Sequence, residues 1–324
     1  MTASAGATTT ALAALSRVVG ERAVLACLGA SAPSAVPAAA AARAMPTPCP
    51  PAALPIWLLV AGRDVDAAAA TRALGAALAP LRDAALIVER GGERDGVLHA
   101  TAALAVLGAG VVVVDRLDAT GEGRVPWPDD SSLHLAACLP TGALGAWLDV
   151  GTGAAVAPLV AGARATRVRA TDVNDAALAR AAQGAALSGR GDISFAHADL
   201  LDGAGTGWDL VTFNAPVPAD DAAAPSTIWH RAPPGAALVE RFWAAAGDHV
   251  ARGGEVLTHT AIAADPWALH RDRPGALAIA RYTPPGERGF AITRWRPHAP
   301  AARDLVDVPL GPGRPYVHRR DLPA

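Results

Sequence analysis

Apolar residues in the first part of the chain recur at helical spacing. Leucines and valines with this period predict a helix over residues 7–28. Prolines are dense over residues 31–55, and because proline breaks regular helix we expect a loop or a broken helix there. Residues 64–78 return to helical spacing, with Asp66 as the predicted N-cap. The chain therefore begins with a mainly helical segment.

The pattern then changes to short strands. Residues 85–90 and 97–101 are apolar runs on either side of a glycine-rich turn, which predicts a β-hairpin, and residues 111–115 predict a further strand. Helices followed by such a hairpin indicate a small winged-helix domain, which we assign to residues 1–135.

From about Gly142 onward, strand patterns alternate with helix patterns. The predicted strands are 146–150, 167–171, 193–197, 210–213, 254–260, 277–282 and 289–294, and the predicted helices are 155–163, 175–187 and 235–251. This alternation indicates an α/β domain with a doubly wound, Rossmann-like parallel sheet over residues 136–324. The last two strands flank a turn-rich loop, so we expect them to form an antiparallel hairpin at the sheet edge.

The charge distribution bears on the class of partner. The chain has 28 basic and 30 acidic residues and a formal net charge of −2, with no basic cluster. Proteins that bind nucleic acid through its phosphates normally carry a basic face, so we expect no nucleic-acid partner. For the same reason we expect the winged domain to dock a partner or cover a substrate rather than bind DNA.

Cysteine usage and apolar run lengths bear on the compartment. Cys27, Cys49 and Cys138 are widely separated and show neither a disulfide framework nor the spacing of metal ligands, so we expect no metal. The longest apolar runs are too short to span a bilayer, and the N-terminus lacks the pattern of a signal peptide. We expect a cytoplasmic protein with no membrane association.

Two glycines follow the first strand of the alternating region. Gly151 and Gly153 allow the backbone to turn sharply and to approach a ligand closely. A dinucleotide-binding loop has a third glycine three positions later, where this chain has Val156, and that counts against a nicotinamide oxidoreductase. Asp172 ends the next strand, where an acid is placed to accept two ribose hydroxyls. Together these features indicate a nucleoside cofactor.

The fourth strand of this region ends in Asn214-Ala215-Pro216-Val217. This ending resembles the class I methyltransferases whose fourth strand ends in Asn-Pro-Pro-Tyr or Asn-Pro-Pro-Phe. That group includes the small-domain ribosomal RNA guanine methyltransferases and the release-factor glutamine methyltransferases. The resemblance covers about residues 140–300, and a parallel sheet closed by an antiparallel hairpin is typical of the same enzymes.

The resemblance implies S-adenosylmethionine (AdoMet) as the cofactor. In such enzymes an acid before the glycines helps to hold the methionine end, which corresponds to Asp149, and an acid after the third strand meets the adenine amine, which corresponds to Asp199. The following backbone N–H, that of Leu200, would meet a ring nitrogen. The cofactor residues implied in this way are Asp149, Gly151, Thr152, Gly153, Asp172, Val173, Asp199, Leu200 and Asn214.

The resemblance also implies an acceptor site. The Asn214 side-chain oxygen and the Ala215 carbonyl would accept hydrogen bonds from the target nitrogen, and Pro216 would stiffen the loop. Ala215 replaces the first proline of the family motif, and Val217 replaces the aromatic residue that stacks on a planar target. These departures admit an amine, a non-planar nitrogen or a hydroxyl as acceptor.

A Trp-His-Arg segment lies downstream of this motif. Trp229 is a candidate aromatic wall for the substrate, His230 a candidate base, and Arg231 a candidate clamp for a carboxylate or phosphate. A loop packed only for structure is the alternative interpretation.

We predict an AdoMet-dependent methyltransferase that acts on a nitrogen of a small molecule or peptide, in specialised metabolism, as a monomer or homodimer. The alternatives are an N-methyltransferase acting on ribosomal RNA or on a protein glutamine, an O-methyltransferase, and a non-catalytic AdoMet-fold binding module. The balanced charge and the altered Asn-Ala-Pro-Val motif favour the small molecule or peptide over RNA.

Overall fold

The computed structural model describes residues 5–90, 96–121, 123–216, 237–262, 265–284, 289–311 and 314–323. The chain divides into two compact units. The first comprises residues 1–129 with 179–191, and the second comprises residues 130–178 with 192–324. The domain boundary predicted at residue 135 falls inside a helix, Asp130–Ala137, and the division into two functional domains stays a prediction.

The first unit is helical at its start. Its helices are α1 Ala5–Val19, α2 Glu21–Leu28, α3 Val36–Ala42, α4 Leu54–Leu59, α5 Ala67–Leu74 and α6 Leu78–Asp83. The single helix expected over residues 7–28 is interrupted at Gly20, whose backbone is extended. The side chain of Asp66 accepts a hydrogen bond from the Ala69 backbone N–H at 2.7 Å, so the predicted N-cap is confirmed.

The described residues of the first unit also form five short strands: β1 Val65–Asp66, β2 Ile87–Arg90, β3 Val97–Ala100, β4 Ala103–Leu107 and β5 Gly110–Val114. Strands β2 and β3 pair antiparallel, as predicted, and β1 joins them in a sheet of order β1-β3-β2. Strand β4 was not predicted; it is fully buried and forms a separate hairpin with β5. The winged-helix arrangement stays a prediction.

The second unit carries the large sheet. Its elements are α7 Asp130–Ala137, β6 Ala146–Val150, α8 Val156–Ala161, β7 Arg167–Asp172, α9 Asp175–Ser188, β8 Ile193–His197, β9 Trp208–Asn214, α10 Ala237–His249, β10 Val250–Ala261, β11 Ala276–Tyr282, β12 Phe290–Arg296 and β13 Ala302–Asp307. From Ala179 onward, α9 belongs to the first unit. The strand order is β13-β11-β12-β10-β9-β6-β7-β8.

Strands β8, β7, β6, β9 and β10 are parallel, and β12 runs antiparallel to both β10 and β11. The predicted Rossmann-like sheet with an antiparallel hairpin is therefore confirmed. One detail of the prediction was wrong: β13 pairs with β11, so β13 and not the hairpin forms the sheet edge. Helix α7 has no counterpart among the predicted elements.

The strands of the sheet centre present different residues on their two faces. One face supplies Leu148, Val150, Val211 and Phe213 to an apolar core that contains Phe242 and Trp243 of α10. Because side chains alternate along a strand, Asp149, Thr212 and Asn214 lie on the opposite face. Burial of the apolar face fixes the register, and the register places the polar residues near the carboxyl ends of the parallel strands, where α/β proteins bind ligands.

Among the described residues, no single helix is long and apolar enough to cross a membrane. The helical pair Glu21–Leu28 and Pro33–Ala42, bent by 45°, reaches that length and composition only when its two parts are taken together.

Candidate active site

The loop after β6 has a backbone that requires glycine. Gly151 and Gly153 have φ angles of 59° and 55°, in the left-handed region that side chains disfavour. A Cβ on Gly151 would lie 3.3 Å from the Phe213 ring, whereas a Cβ on Gly153 would meet nothing within 4 Å. The Thr152 backbone N–H donates to the Thr171 carbonyl at 2.9 Å, which holds this loop against the end of β7.

Asp172 connects the ends of two neighbouring strands. Its carboxylate accepts hydrogen bonds from the backbone N–H of Gly153 at 2.8 Å and of Asn174 at 2.9 Å. Burial raises the pKa of Asp172, and the backbone donors oppose that rise because they stabilise the charged form. The predicted ribose-binding acid is thus also the anchor of the glycine loop.

Asp149 in β6 is buried and bonded within the protein. It is 4% exposed, and its carboxyl group accepts hydrogen bonds from the Thr152 hydroxyl at 2.5 Å and from the Thr212 hydroxyl. Burial raises the pKa of Asp149 to about 6, although both hydroxyl donors act to lower it. Because both carboxyl oxygens are engaged, the side chain holds β6, β9 and the glycine loop together.

Residues after β7 and β8 complete the predicted adenosine side. Val173, directly after Asp172, is 48% exposed and is one of two large apolar side chains this exposed in the part of the chain described. Asp199 forms an ion pair with Arg241 of α10, Nη2 to Oδ2 at 2.7 Å, and both side chains are about half exposed. Leu200 has a φ of 52° and packs on the apolar core. Val173 and Leu200 thus each follow one of the two acids, Asp172 and Asp199, that the resemblance assigns to the nucleoside.

Asn214, the last residue of β9, has an asymmetric environment. Its Nδ2 donates to the hydroxyl oxygen of Ser131 at 2.9 Å and to that of Ser132 at 3.3 Å. Its Oδ1 is buried and has no hydrogen-bond partner among the described residues. A buried acceptor without a partner is costly, so this oxygen calls for a donor that binds there.

The backbone beyond Asn214 is also held. The Ala215 N–H donates to the His259 carbonyl of β10 at 3.0 Å, Ala215 is buried, and Pro216 is half-buried. The structure therefore describes the first three residues of the predicted acceptor motif, Asn214 to Pro216. Val217, Trp229, His230 and Arg231, the other predicted acceptor residues, lie outside the described residues, and their roles stay predictions.

A cluster of rings and hydroxyls that the sequence patterns did not predict lies on the face of the sheet that carries Asn214. His259 pairs with Asn214 in the sheet register, and its Nε2 lies 2.6 Å from the Tyr282 hydroxyl. The ring of His134 in α7 lies 4.2 Å from that of Tyr282. The available signals were a histidine near the end of a predicted strand and a Ser-Ser pair after two aspartates, the composition of a helix start.

Comparison with known proteins gives one family match. Residues 126–260, less than half of the chain, match the family Methyltransferase small domain. No curated protein sequence matches the chain.

Three solved structures with a similar fold are distant in sequence. The ribosomal protein L11 methylase of Lactobacillus delbrueckii subsp. bulgaricus is 19% identical, with 52% of this chain and 78% of that chain covered and a TM-score of 0.39. The N-methyltransferase NodS of Bradyrhizobium japonicum WM9 is 16% identical, with 52% and 93% covered and a TM-score of 0.36. TrmK of M. capricolum, in complex with S-adenosyl-homocysteine, is 13% identical, with 53% and 70% covered and a TM-score of 0.40. These likenesses are too distant to bear on the acceptor.

Proposed function

We propose that this chain, whose residues 126–260 match the Methyltransferase small domain, is an AdoMet-dependent methyltransferase that transfers the methyl group to a nitrogen of a small molecule or peptide. The observation that carries the proposal is the buried Oδ1 of Asn214 at the end of β9, which has no hydrogen-bond partner among the described residues. An acceptor N–H would satisfy that oxygen, the O–H of a hydroxyl acceptor would do the same, and the isotope experiment below separates the two.

The cofactor site would be assembled from the loops after β6, β7 and β8. Asp172 would accept the ribose hydroxyls while its remaining acceptor capacity holds Gly153, and Val173 would lie against the adenine ring. Asp199 would accept from the adenine amine, held in place by Arg241. AdoMet supplies, when bound, a methyl carbon that is already activated by a positively charged sulfur.

The chain's own residues then align the acceptor. Asn214 Oδ1 would accept a hydrogen bond from the target nitrogen, which directs the nitrogen lone pair toward the methyl carbon. With AdoMet bound, the nitrogen would form a bond to the methyl carbon, the carbon–sulfur bond would break with its electron pair going to sulfur, and the nitrogen would lose a proton to solvent or to a base. Alignment and hydrogen bonding account for most of what the protein must contribute.

The balanced charge supports a small molecule or peptide over RNA as the acceptor. The formal net charge is −2, and dense contact with phosphates requires a surplus of basic side chains. A cytoplasmic role in specialised metabolism is part of the same proposal.

The acceptor class can be tested with AdoMet that carries a deuterated methyl group. The protein is incubated with the small-molecule, peptide and RNA fractions of an extract of its natural host, and fragment masses locate the label. We expect label on nitrogen in the small-molecule or peptide fraction. Label confined to RNA, or to oxygen, would refute the proposal.

Asn214→Ala tests the role of Asn214 with the acceptor identified in this way. We expect kcat/KM to fall about 10²-fold, as for the loss of one oriented hydrogen-bonding group in other enzymes, with the AdoMet Kd within about threefold of wild type. Near-normal turnover by this variant would show that the acceptor binds elsewhere.

A further inference from the structure

Two serines at the start of α7 approach the Asn214 side chain. Ser131 and Ser132 are the second and third residues of this helix, and their hydroxyl oxygens lie 2.9 Å and 3.3 Å from Asn214 Nδ2. The serines precede Asn214 by more than 80 positions in the sequence, so the contact is made by the fold. The side chain that ends β9 is thus held from a different element.

The two hydroxyls together satisfy one end of the amide. A primary amide has two N–H donors on nitrogen and one oxygen that accepts. Each serine oxygen accepts from one of the two donors, so the nitrogen has its full set of partners and the oxygen has none among the described residues. If the amide rotated by half a turn, two N–H groups would face the place that the oxygen now faces.

Helix α7 is itself held in place. The Val317 backbone N–H donates to Nδ1 of His134 at 2.9 Å, and the His134 ring contacts Tyr282 of β11. Leu133 and Leu135 are buried. The serine hydroxyls therefore belong to a packed helix and not to a free chain end, so their oxygen atoms are held beside the Asn214 nitrogen.

We propose that Ser131 and Ser132 are positioning residues that keep the Asn214 oxygen directed at the acceptor, so that the site prefers an atom carrying N–H donors. This inference rests on the proposed function. The serines act through Asn214 and are not required to touch the acceptor.

The test uses two probes that need no knowledge of the acceptor. S-adenosylhomocysteine lacks the transferable methyl group, and sinefungin carries an amine at the corresponding position. The amine offers N–H donors where the acceptor nitrogen would approach. The ratio of the two Kd values, measured by calorimetry, therefore reports the hydrogen bond to Asn214 Oδ1 separately from the rest of cofactor binding.

The perturbing variant is Ser131→Ala with Ser132→Ala. We expect its preference for sinefungin over S-adenosylhomocysteine to fall about tenfold, the loss expected for a hydrogen bond to a charged donor, while S-adenosylhomocysteine binds within about twofold of wild type. Replacement of both serines by threonine keeps the hydroxyls and should keep the preference. Ser131→Ala alone, which removes the shorter contact, replaces the double variant if the latter does not fold.

Ser194→Ala is the matched control. It removes the hydroxyl of Ser194 in β8, which donates to the Val168 carbonyl of β7 at 3.0 Å. Strands β6 and β7 separate β8 from β9, so this hydroxyl lies away from Asn214. We expect the sinefungin preference to be unchanged in this variant. An equal loss in the control would mean that any serine deletion loosens the unit, and it would overturn the positioning role.

Asn214→Ala separates this inference from the proposed function. If Asn214→Ala loses the preference and the double serine variant keeps it, the positioning role is wrong and the function of Asn214 stands. If wild type shows no preference, or Asn214→Ala keeps the wild-type preference, the Asn214 oxygen does not meet the acceptor, and both proposals fail.

Discussion

Asp172→Asn is the sharpest single perturbation of the cofactor site. The wild-type carboxylate accepts from the Gly153 and Asn174 backbone N–H groups at 2.8 and 2.9 Å and would also meet the ribose. Asparagine keeps the shape but replaces one oxygen by an NH2 group, which cannot accept a hydrogen bond. One donor thus loses its partner, and the contact with the ribose hydroxyls loses its charge.

The magnitude follows from these contacts. A hydrogen bond to a charged group contributes about 1.5–3 kcal/mol, so AdoMet should bind about 10- to 150-fold more weakly to Asp172→Asn. Burial raises the pKa of Asp172, and binding to the ribose requires the ionised form. Wild-type affinity should therefore fall as the pH falls through that pKa, and Asp172→Asn should lose this pH dependence.

Isothermal calorimetry with AdoMet over a pH series measures both effects. Asp175→Asn is the matched control, because Asp175 has a side chain that is 82% exposed and pairs with His197. An analogue of S-adenosylhomocysteine without the ribose hydroxyls isolates the direct contact, since Asp172→Asn should cost it less affinity than it costs the parent compound. Unchanged AdoMet affinity in Asp172→Asn would refute the assignment of this acid to the cofactor.

Two further perturbations probe other parts of the site. Burial raises the pKa of Asp149 to about 6, above the value of an unfolded chain, so the folded state retains this proton longer and ionisation costs stability. The free energy of unfolding of wild type, relative to that of Asp149→Asn, should therefore fall by about 2 kcal/mol from roughly pH 4.5 to pH 7.5. Denaturant unfolding of both proteins measures this difference, and a difference that does not change with pH would contradict the reasoning. Val173→Ser should weaken AdoMet binding about fivefold, as loss of about 1 kcal/mol of apolar contact implies, and unchanged affinity in calorimetry would show that Val173 does not face the adenine.

The sequence by itself determined the central sheet. Strand β6 has the bounds that its apolar run predicts, because a strand buried in a parallel sheet is apolar along most of its length. Strand β8, at an edge of the sheet, also has its predicted bounds. The sharp turns at Gly151 and Gly153 could also be predicted from the sequence, since few other residues adopt the left-handed conformation. The glycine loop and Asp172 at the end of β7 could thus be predicted from the local sequence alone.

Elements that are stabilised by residues distant in the sequence could not be predicted from the sequence. Helix α7 has a polar start near a proline, and it is held by Val317 from the other end of the chain. Strand β13 carries charged residues along its length and lies at the edge of the sheet, where half of its surroundings are solvent. Neither element has the apolar periodicity on which sequence prediction depends.

The orientation of the polar side chains was decided by tertiary structure alone. The sequence places Asp149 before the glycines, but the register with β9 sets it beside Thr212, where its carboxyl group is buried and bonded within the protein. The sequence likewise places Asn214 at the end of a strand, but Ser131, from another element, determines which end of the amide is satisfied. The sequence determines which residue types are present at the site. A hydrogen bond, however, needs a donor and an acceptor within about 3 Å of each other. For groups far apart in the sequence, only the packing of the whole unit brings them that close.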